Sequence, residues 1–576
     1  MERDSGSAER RSHRARIKLT WVALLVYSII SIVVFAGVWA NPAGAWIGDN
    51  KDPKLFIWYL GWIPHQLSQG QSPLFTDYLS YPAGVNLMWN TSLVFPALVL
   101  WPVTSIFGPI VAYNLLMTAA AALSAWLGFL AARRFVEHSL MCVFAGFLYG
   151  FSPGMMAQAT GHPHAMIGLF PPIALILAHE LLVLQRFPAA LMGGLAGLAA
   201  ALQLLTGEEV LATTALIAAL GVALLAFLKW RSVAEKLPYA MKGIGAAVLT
   251  FVILAAYPLA VQFLGPQRVF GNVQAQDVYV SDLLAFVVPN HVWLHNSATA
   301  EIVTHFTGNS TEDNAYVGFP LLVLFVWGLV ASWRRLSFRW AGLLTLTIAI
   351  LSLGPHLHVY GQSTALWLPW VVVARLPLMG SADPSRLMLV AFLGIGIAVG
   401  SLMSTRLRHL GSSTLLVVGF AAVVPAIPAT STMASVPIFF QQGGGVQSIP
   451  AGSVALITPF SSRQSTDAMY WQTVAQYRFR MPEGDAFTPG PYLGPHPSHI
   501  QTSLEALDQG QVVTTSPSER DQALRDLAAF RVATVVVGPS PGRDAIVTYL
   551  TAILGASPAE NGGVYVWWHL PLDSKP

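Results

Sequence analysis

LTWVALLVYSIISIVVFAGVWA, residues 19–40, decides the fold. It is an unbroken apolar run, and roughly 20 such residues cross about 30 Å of hydrocarbon as a helix. In lipid every backbone N–H and C=O must pair within the chain, so the run is helical. It exceeds the apolar core of a signal peptide, and no small-residue cleavage site follows it, so a retained anchor is expected. Arg3, Arg10, Arg11, Arg14, Arg16 and Lys18 precede it. By the positive-inside rule that end, residues 1–18, is cytoplasmic. GDNKDP, residues 48–53, follows and sets Asp49 and Asp52 at the opposite boundary.

Outward from this anchor the same character continues. Hydrophobic residues make up 54% of the 576 and charged residues 10%, against about 25% charged in a soluble domain. A β-barrel would instead show short alternating strands. Further spans are expected at 110–132, 140–158, 165–184, 189–206, 210–228, 243–264, 315–332, 340–354, 387–405 and 412–429, about eleven crossings in all. This register leaves Arg133/Arg134, Arg186, Lys229/Arg231/Lys236, Arg334/Arg335/Arg339 and Arg406/Arg408 inside. The odd count puts the C-terminal end outside. Residues 91–107 are apolar but carry Pro96 and Pro102, which interrupt a helix. They read as a membrane-embedded or interfacial segment, and 364–376 as a comparable re-entrant half-helix. The spans and these segments form a domain over 19–430.

The outer segments 41–90, 265–314 and 355–386 come out long, and the inner ones short and basic, so chemistry belongs on the outer face. KLFIWYLGWIPHQL, residues 54–67, has the spacing of a helix lying flat in the membrane surface. From 431 to 576 the chain is richer in Gly, Pro, Ser and charge. GSVALITPF and RVATVVVGP read there as buried strands, SERDQALRDLAAF and RDAIVTYLTAIL as amphipathic helices. The fold expected is an α-helical polytopic membrane protein with a C-terminal extracytoplasmic α/β domain.

The candidate site residues are polar groups at outer span ends. Asp49 and Asp52 suit a catalytic base or a cation ligand, or else an ordinary polar loop after a helix. Asp77, in LFTDYLSYPAGVNL, is a further acid in the same loop. His162 and His164, in TGHPHAM, have an i, i+2 spacing that can bring two imidazoles to one cation; polar caps are the plain alternative. Glu208 and Glu209, in LLTGEEVLA, stand at the tip of a hairpin as binding groups or as wet loop charge. Asp277, Asp282, Glu312 and Asp313 line a groove or are solvated in the loop 265–314. SADPSR, 381–386, sets Arg386 three residues after Asp383. Arginine at that depth needs a carboxylate or a phosphate partner. The single cysteine, Cys142, excludes an intrachain disulfide and reads as a packed core residue. No nucleotide-binding glycine loop or serine-hydrolase elbow occurs in a workable context, which argues against a nucleotide-driven pump and a soluble-type hydrolase.

Taken together, GDNKDP, SPLFTDYLSYPAGVNLMWNTS, LYGFSPGMMAQATGHPH, SADPSRLMLVAF and the later AMYWQTVAQYRFRMPEG resemble the GT-C class of membrane glycosyltransferases, in its actinobacterial form. The resemblance covers most of the chain through short motifs. It implies inverting transfer of a sugar from a polyprenyl-phosphate carrier to an envelope glycan, glycolipid or protein acceptor, outside a bacterial plasma membrane. The first-loop acid of that class falls on Asp49, with Asp52 its rival, because the chain has D-x-x-D where the class has DxD or ExD. Arg386 matches an arginine facing the carrier phosphate. Asp77, His162, His164, Glu208, Glu209 and Asp383 are the remaining candidate substrate contacts. A divalent cation, Mg or Mn, would have Asp49, His162 and His164 as its candidate ligands. Nucleic acid is not an expected partner. A transporter or flippase of lipid-linked glycans would need ionisable groups near mid-membrane, where these spans have few. A non-catalytic scaffold would present the C-terminal domain. Its Tyr470, Trp471 and Tyr477 read as glycan-stacking aromatics or, equally, as core packing.

Overall fold

The computed structural model describes residues 2–432, 436–461, 465–490, 494 and 497–570. Of the six basic residues before the first span, only the Lys18 side chain falls among the described ones. Among the described residues, six helices are long and apolar enough to cross a membrane: Ile17–Val34, Pro109–Ala132, Ser139–Gln158, Pro163–Leu184, Glu208–Leu264 and Pro384–Ser404. Four shorter apolar helices are Ala189–Leu204, Phe319–Ala331, Leu336–Ser352 and Leu410–Ala422. The 57-residue helix Glu208–Leu264 leaves helical geometry at Lys229 (φ −149°, ψ 49°), so two apolar stretches flank a basic joint. The stretch 139–158 breaks after Phe151. Pro153 cannot donate to a preceding turn, and Ser152 Oγ restarts the helix by accepting from Met155 N.

The chain forms two compact units. The first holds Met1–Asn41, Asn114–Ala256 and Asn272–Thr430; the second holds Pro42–Tyr113, Tyr257–Gly271 and Ser431–Pro576.

In the first unit, small residues let helices approach closely. A Cβ on Gly193 would lie 1.9 Å from Gly243 O, and one on Gly197 2.3 Å from Ala247 O. This is glycine spacing of four residues used for backbone contact, as membrane helices do. Glu180 is buried and binds Arg186 (Nη2–Oε2 2.8 Å) and Arg134 (3.4 Å), so two of the basic clusters share one carboxylate. Residues 362–367 are a strand, which corrects the expected half-helix at 364–376. They pair with His356–Val359 across a Tyr360–Gly361 turn with both φ positive (53° and 75°), the geometry of a two-residue hairpin. Only Trp370–Val373 turns helical there, after Pro369.

In the second unit a sheet runs Val454–Thr458, Val532–Val537, Val564–Trp567, Ala559–Asn561 in spatial order. The first pair is parallel and the others antiparallel. Helices His499–Asp508, Pro517–Ala529 and Arg543–Leu554 cover it with Ile500, Leu504, Leu527, Ile546 and Leu550. The central VATVVV is buried along nearly its whole length, as a strand covered on both faces must be.

Helix Asp52–Ser68 belongs to this unit, and here the expectation of a flat interfacial helix is corrected. Ile57, Trp58, Tyr59, Leu60, Trp62 and Ile63 are all buried within the protein. Trp58 and Trp62 stack at 5.0 Å, Trp58 Nε1 donates to Gln472 Oε1 (2.7 Å) and Tyr477 Oη donates to Trp58 O (2.8 Å). Tyr470, Trp471 and Tyr477 are each 5% exposed, so they are core residues and not a glycan-stacking surface. Asn90 braces the same unit: its amide donates to Asn86 O and Phe487 O and accepts from Phe487 N.

Candidate active site

Arg386 is the centre of the first unit's polar chemistry. It sits where a short turn, Pro384–Arg386, runs into the apolar helix Leu387–Ser404. Three carboxylates surround its guanidinium. Glu312 takes one edge, with Nε 3.0 Å from Oε2 and Nη2 2.6 Å from Oε1. Glu209 pairs with Nη1. Asp383, three residues back, lies 3.3 Å from Nη2. A fork of five donors fits such an arrangement, which a single ammonium would not. Glu312 is held in turn by His162 Nδ1 (3.2 Å), Asn314 Nδ2 (3.3 Å) and Gln158 Nε2 (3.5 Å). His162 Nδ1 also faces Gln158 Oε1 at 3.0 Å. His164 lies buried beside it, with ring centroids 5.6 Å apart.

The structure therefore brings His162, Glu209, Asp383 and Arg386 into one cluster. Glu208, half-buried at the same helix start, is not among the groups that bond Arg386. Beside the cluster is a pocket whose empty space, including that open to solvent, is about 370 Å³. Glu209 and Arg386 are its charged lining, and Tyr149, Met155, Ala165, Gly168, Pro171, Val210, Leu389 and Val390 form most of its wall.

Asp49 and Asp52 lie in the second unit with Asp77. Asp49 Oδ1 accepts from Lys51 N (2.9 Å) and Asp52 N (3.2 Å), so it closes a turn just before helix Asp52–Ser68, whose N-cap is Lys51. Trp46 Nε1 donates to Asp49 O (2.7 Å), and the Asp49 residue is exposed. Asp52 is the first residue of that helix. Asp77 pairs with Arg480 (3.3 Å), whose guanidinium lies over Tyr78 and Tyr81. This carboxylate is spoken for by a half-exposed ion pair.

No protein-family profile and no curated protein sequence matches this chain.

Solved structures do align with it. The oligosaccharyltransferase of Archaeoglobus fulgidus does so at 13% identity and a TM-score of 0.45, over 93% of this chain and 71% of that one. Arabinofuranosyltransferase AftD from Mycobacteria aligns at 12% identity and a TM-score of 0.48, over 90% of this chain, which spans 36% of AftD. ArnT from Cupriavidus metallidurans, bound to undecaprenyl phosphate, aligns at 13% identity and a TM-score of 0.39, over 95% and 97% of the two chains. Likeness of this degree assigns no residue a role.

Protonation in the first unit follows burial and charge. Burial alone would push the Glu312 carboxyl up, but Arg386 and His162 outweigh it and hold it well below the ordinary carboxylate range. Burial wins at Asp383, raising it well above that range despite Arg386. Asp313 is pushed up to about 8 by burial, then by the charges of Glu312 and Asp282; Asn290 Nδ2 donates to it (3.2 Å). The cluster thus pairs an ionised acid with a neutral neighbour in sequence.

Among the described residues, no group of three or more His, Cys, Asp or Glu is arranged to hold a metal ion. His162 is engaged with Glu312 and Gln158. Sequence reasoning undervalued Glu312, read as one charge among several in a loop. Nothing local marks it, because its partner is 74 positions away.

Proposed function

We propose that the chain is a multi-pass glycosyltransferase of the GT-C class in a bacterial plasma membrane. Its donor is a sugar on a polyprenyl phosphate and its acceptor is an envelope glycan, lipid or protein on the outer face. The supporting observation is the apolar-walled pocket with the Glu209–Arg386 pair in its lining, set among helices apolar enough to span a bilayer. A donor anchored by a prenyl tail needs apolar walls for the tail and a cation for the phosphate. The chain would cross the membrane about eleven times, with a cytoplasmic basic N-terminus and an extracytoplasmic C-terminal α/β region.

In the reaction the acceptor hydroxyl attacks the anomeric carbon opposite the phosphate. The new C–O bond forms as the bond to phosphate oxygen breaks, and the carrier phosphate leaves with the electron pair. The hydroxyl proton goes to a carboxylate, the role that the resemblance of GDNKDP gives to Asp49 with Asp52 as its rival. Arg386 neutralises charge developing on the phosphate. His162, through Glu312, positions Arg386.

Asp49→Asn in the reconstituted full chain tests this reading. An asparagine amide oxygen can accept the same Lys51 and Asp52 N–H groups, so the turn is kept while the base is removed. Transfer from a polyprenyl-phosphate sugar is expected to fall by about 10² or more. Full activity in both Asp49→Asn and Asp52→Asn overturns the assignment. Linkage analysis of envelope polysaccharides in a deletion strain is expected to show one linkage missing, which identifies the acceptor.

A further inference from the structure

The Glu209 carboxylate occupies a position built for an anion. Its Oε2 pairs with Arg386 Nη1, and its Oε1 accepts from the backbone N–H of Asp383 at 2.8 Å. These two donors converge on one carboxylate at the start of an apolar helix, where backbone N–H groups and the helix dipole favour negative charge.

The three acids around Arg386 are not equivalent. The Glu312 and Asp383 side chains are each 3% exposed, whereas that of Glu209 is 18% exposed. Glu312 is also tied to His162, Gln158, Asn314 and Ser385. Glu209, not Glu312 or Asp383, lines the pocket with Arg386. The walls beside them, from Tyr149, Met155, Gly168, Pro171, Val210 and Leu389, are mostly apolar. Asp383 Oδ1 is a buried oxygen without a hydrogen-bond partner, next to the N–H that Glu209 occupies.

We propose that Glu209 is a resident anion holding Arg386 and the Asp383 N–H until the terminal phosphate of a ligand displaces it. Phosphate and Glu209 cannot share these donors without placing two anions in contact, so binding is an exchange. Guanidinium and amide pass from carboxylate to phosphate oxygens, and Glu209 swings toward the pocket mouth. A ligand must then bring an anion of its own to open the site. The inference rests on the donor reading above, which supplies the phosphate.

The test uses the full chain in detergent micelles and calorimetric titration with three probes: farnesyl monophosphate, inorganic phosphate and farnesol. Glu209→Gln keeps the shape and removes the charge; Glu209→Ala removes the group. Both are expected to bind farnesyl monophosphate about tenfold tighter than wild type, the size of one relieved charge-assisted contact. Farnesol affinity is expected to stay the same across all three proteins. A parallel gain for inorganic phosphate marks phosphate alone as sufficient, and a gain confined to the farnesyl ester marks the lipid-borne group as the ligand. Either result supports the exchange. Equal or weaker farnesyl monophosphate binding by both variants overturns it, as does an equal gain for farnesol, which would mean only a wider pocket. If the wild type and both variants all fail to bind farnesyl monophosphate, the donor reading fails first and the inference with it. If the wild type binds and the variants gain nothing, only the exchange fails.

Discussion

Glu312 shows what a single residue contributes here. Removing it leaves Arg386 without the acid that takes two of its nitrogens. Breaking a buried ion pair on one side costs about 3–5 kcal/mol, so Glu312→Ala is expected to lower the unfolding midpoint sharply, read by thermal denaturation in detergent. The Glu312 carboxyl titrates in the folded protein well below its unfolded value of about 4.3. Its stabilisation is therefore complete above that value and is lost as pH falls through the folded one. Asp313 runs the other way. With a folded value of about 8, its contribution is complete below its unfolded value of about 3.9 and is lost as pH rises through the folded one. Asp313→Asn and wild type should therefore have similar midpoints in acid, with the variant the more stable near about pH 9. A constant difference across that range would refute this account. Asp383 and Arg386 were readable as a pair because they sit three residues apart before an apolar helix. Glu312 was not, since its charge lies in a polar loop and pairs across 74 positions.

At the scale of elements, period and punctuation identified most of the helices and both long strands. VATVVV and VALIT are β-branched, apolar runs between turn residues, and they pair in parallel. Helix Asp52–Ser68 was legible as a helix but not as a buried one. Its aromatic residues fit a membrane surface or a protein core equally well, and only Gln472 and Tyr477, some 400 positions later, distinguish the two. Gly61 records that burial: a Cβ there would lie 2.3 Å from Tyr477 Oη. Gly61→Ala is expected to destabilise the protein by about 1–3 kcal/mol, the usual cost of overpacking, and Tyr477→Phe in the same chain should recover part of it. The hairpin 356–367 escaped notice because Tyr360–Gly361 is a weak turn signal in an apolar stretch. The helix pair at Gly193 and Gly197 gives a sharper test. Any side chain at Gly193 puts its Cβ 1.9 Å from Gly243 O, so in Gly193→Leu the helices must part and the variant should lose its monodisperse peak in size-exclusion chromatography.

At the scale of the whole molecule, the two units are interleaved along the sequence. The second is gathered from residues 42–113, 257–271 and 431 onward. Hydropathy marked the last stretch as different but could not show that the first loop belongs with it, because such membership is decided by tertiary packing. Asn90 illustrates this. In the fold it is a buried amide joining residue 86 to residue 487. Asn90→Ala is expected to cost about 1–3 kcal/mol through the backbone groups at 487 left unmet, measured by denaturation of the full chain.

That gathering bears on how the protein is made. Trp58 and Trp62 emerge from the ribosome long before Gln472 and Tyr477 exist to cover them. At ~5–20 residues per second the wait lasts roughly tens of seconds. Throughout that time the helix after Asp52 is an exposed aromatic surface, open to chaperones and proteases. A premature stop shortly before residue 467 would leave that surface permanently uncovered. Such a truncated chain should be cleared by quality control even with every apolar helix intact.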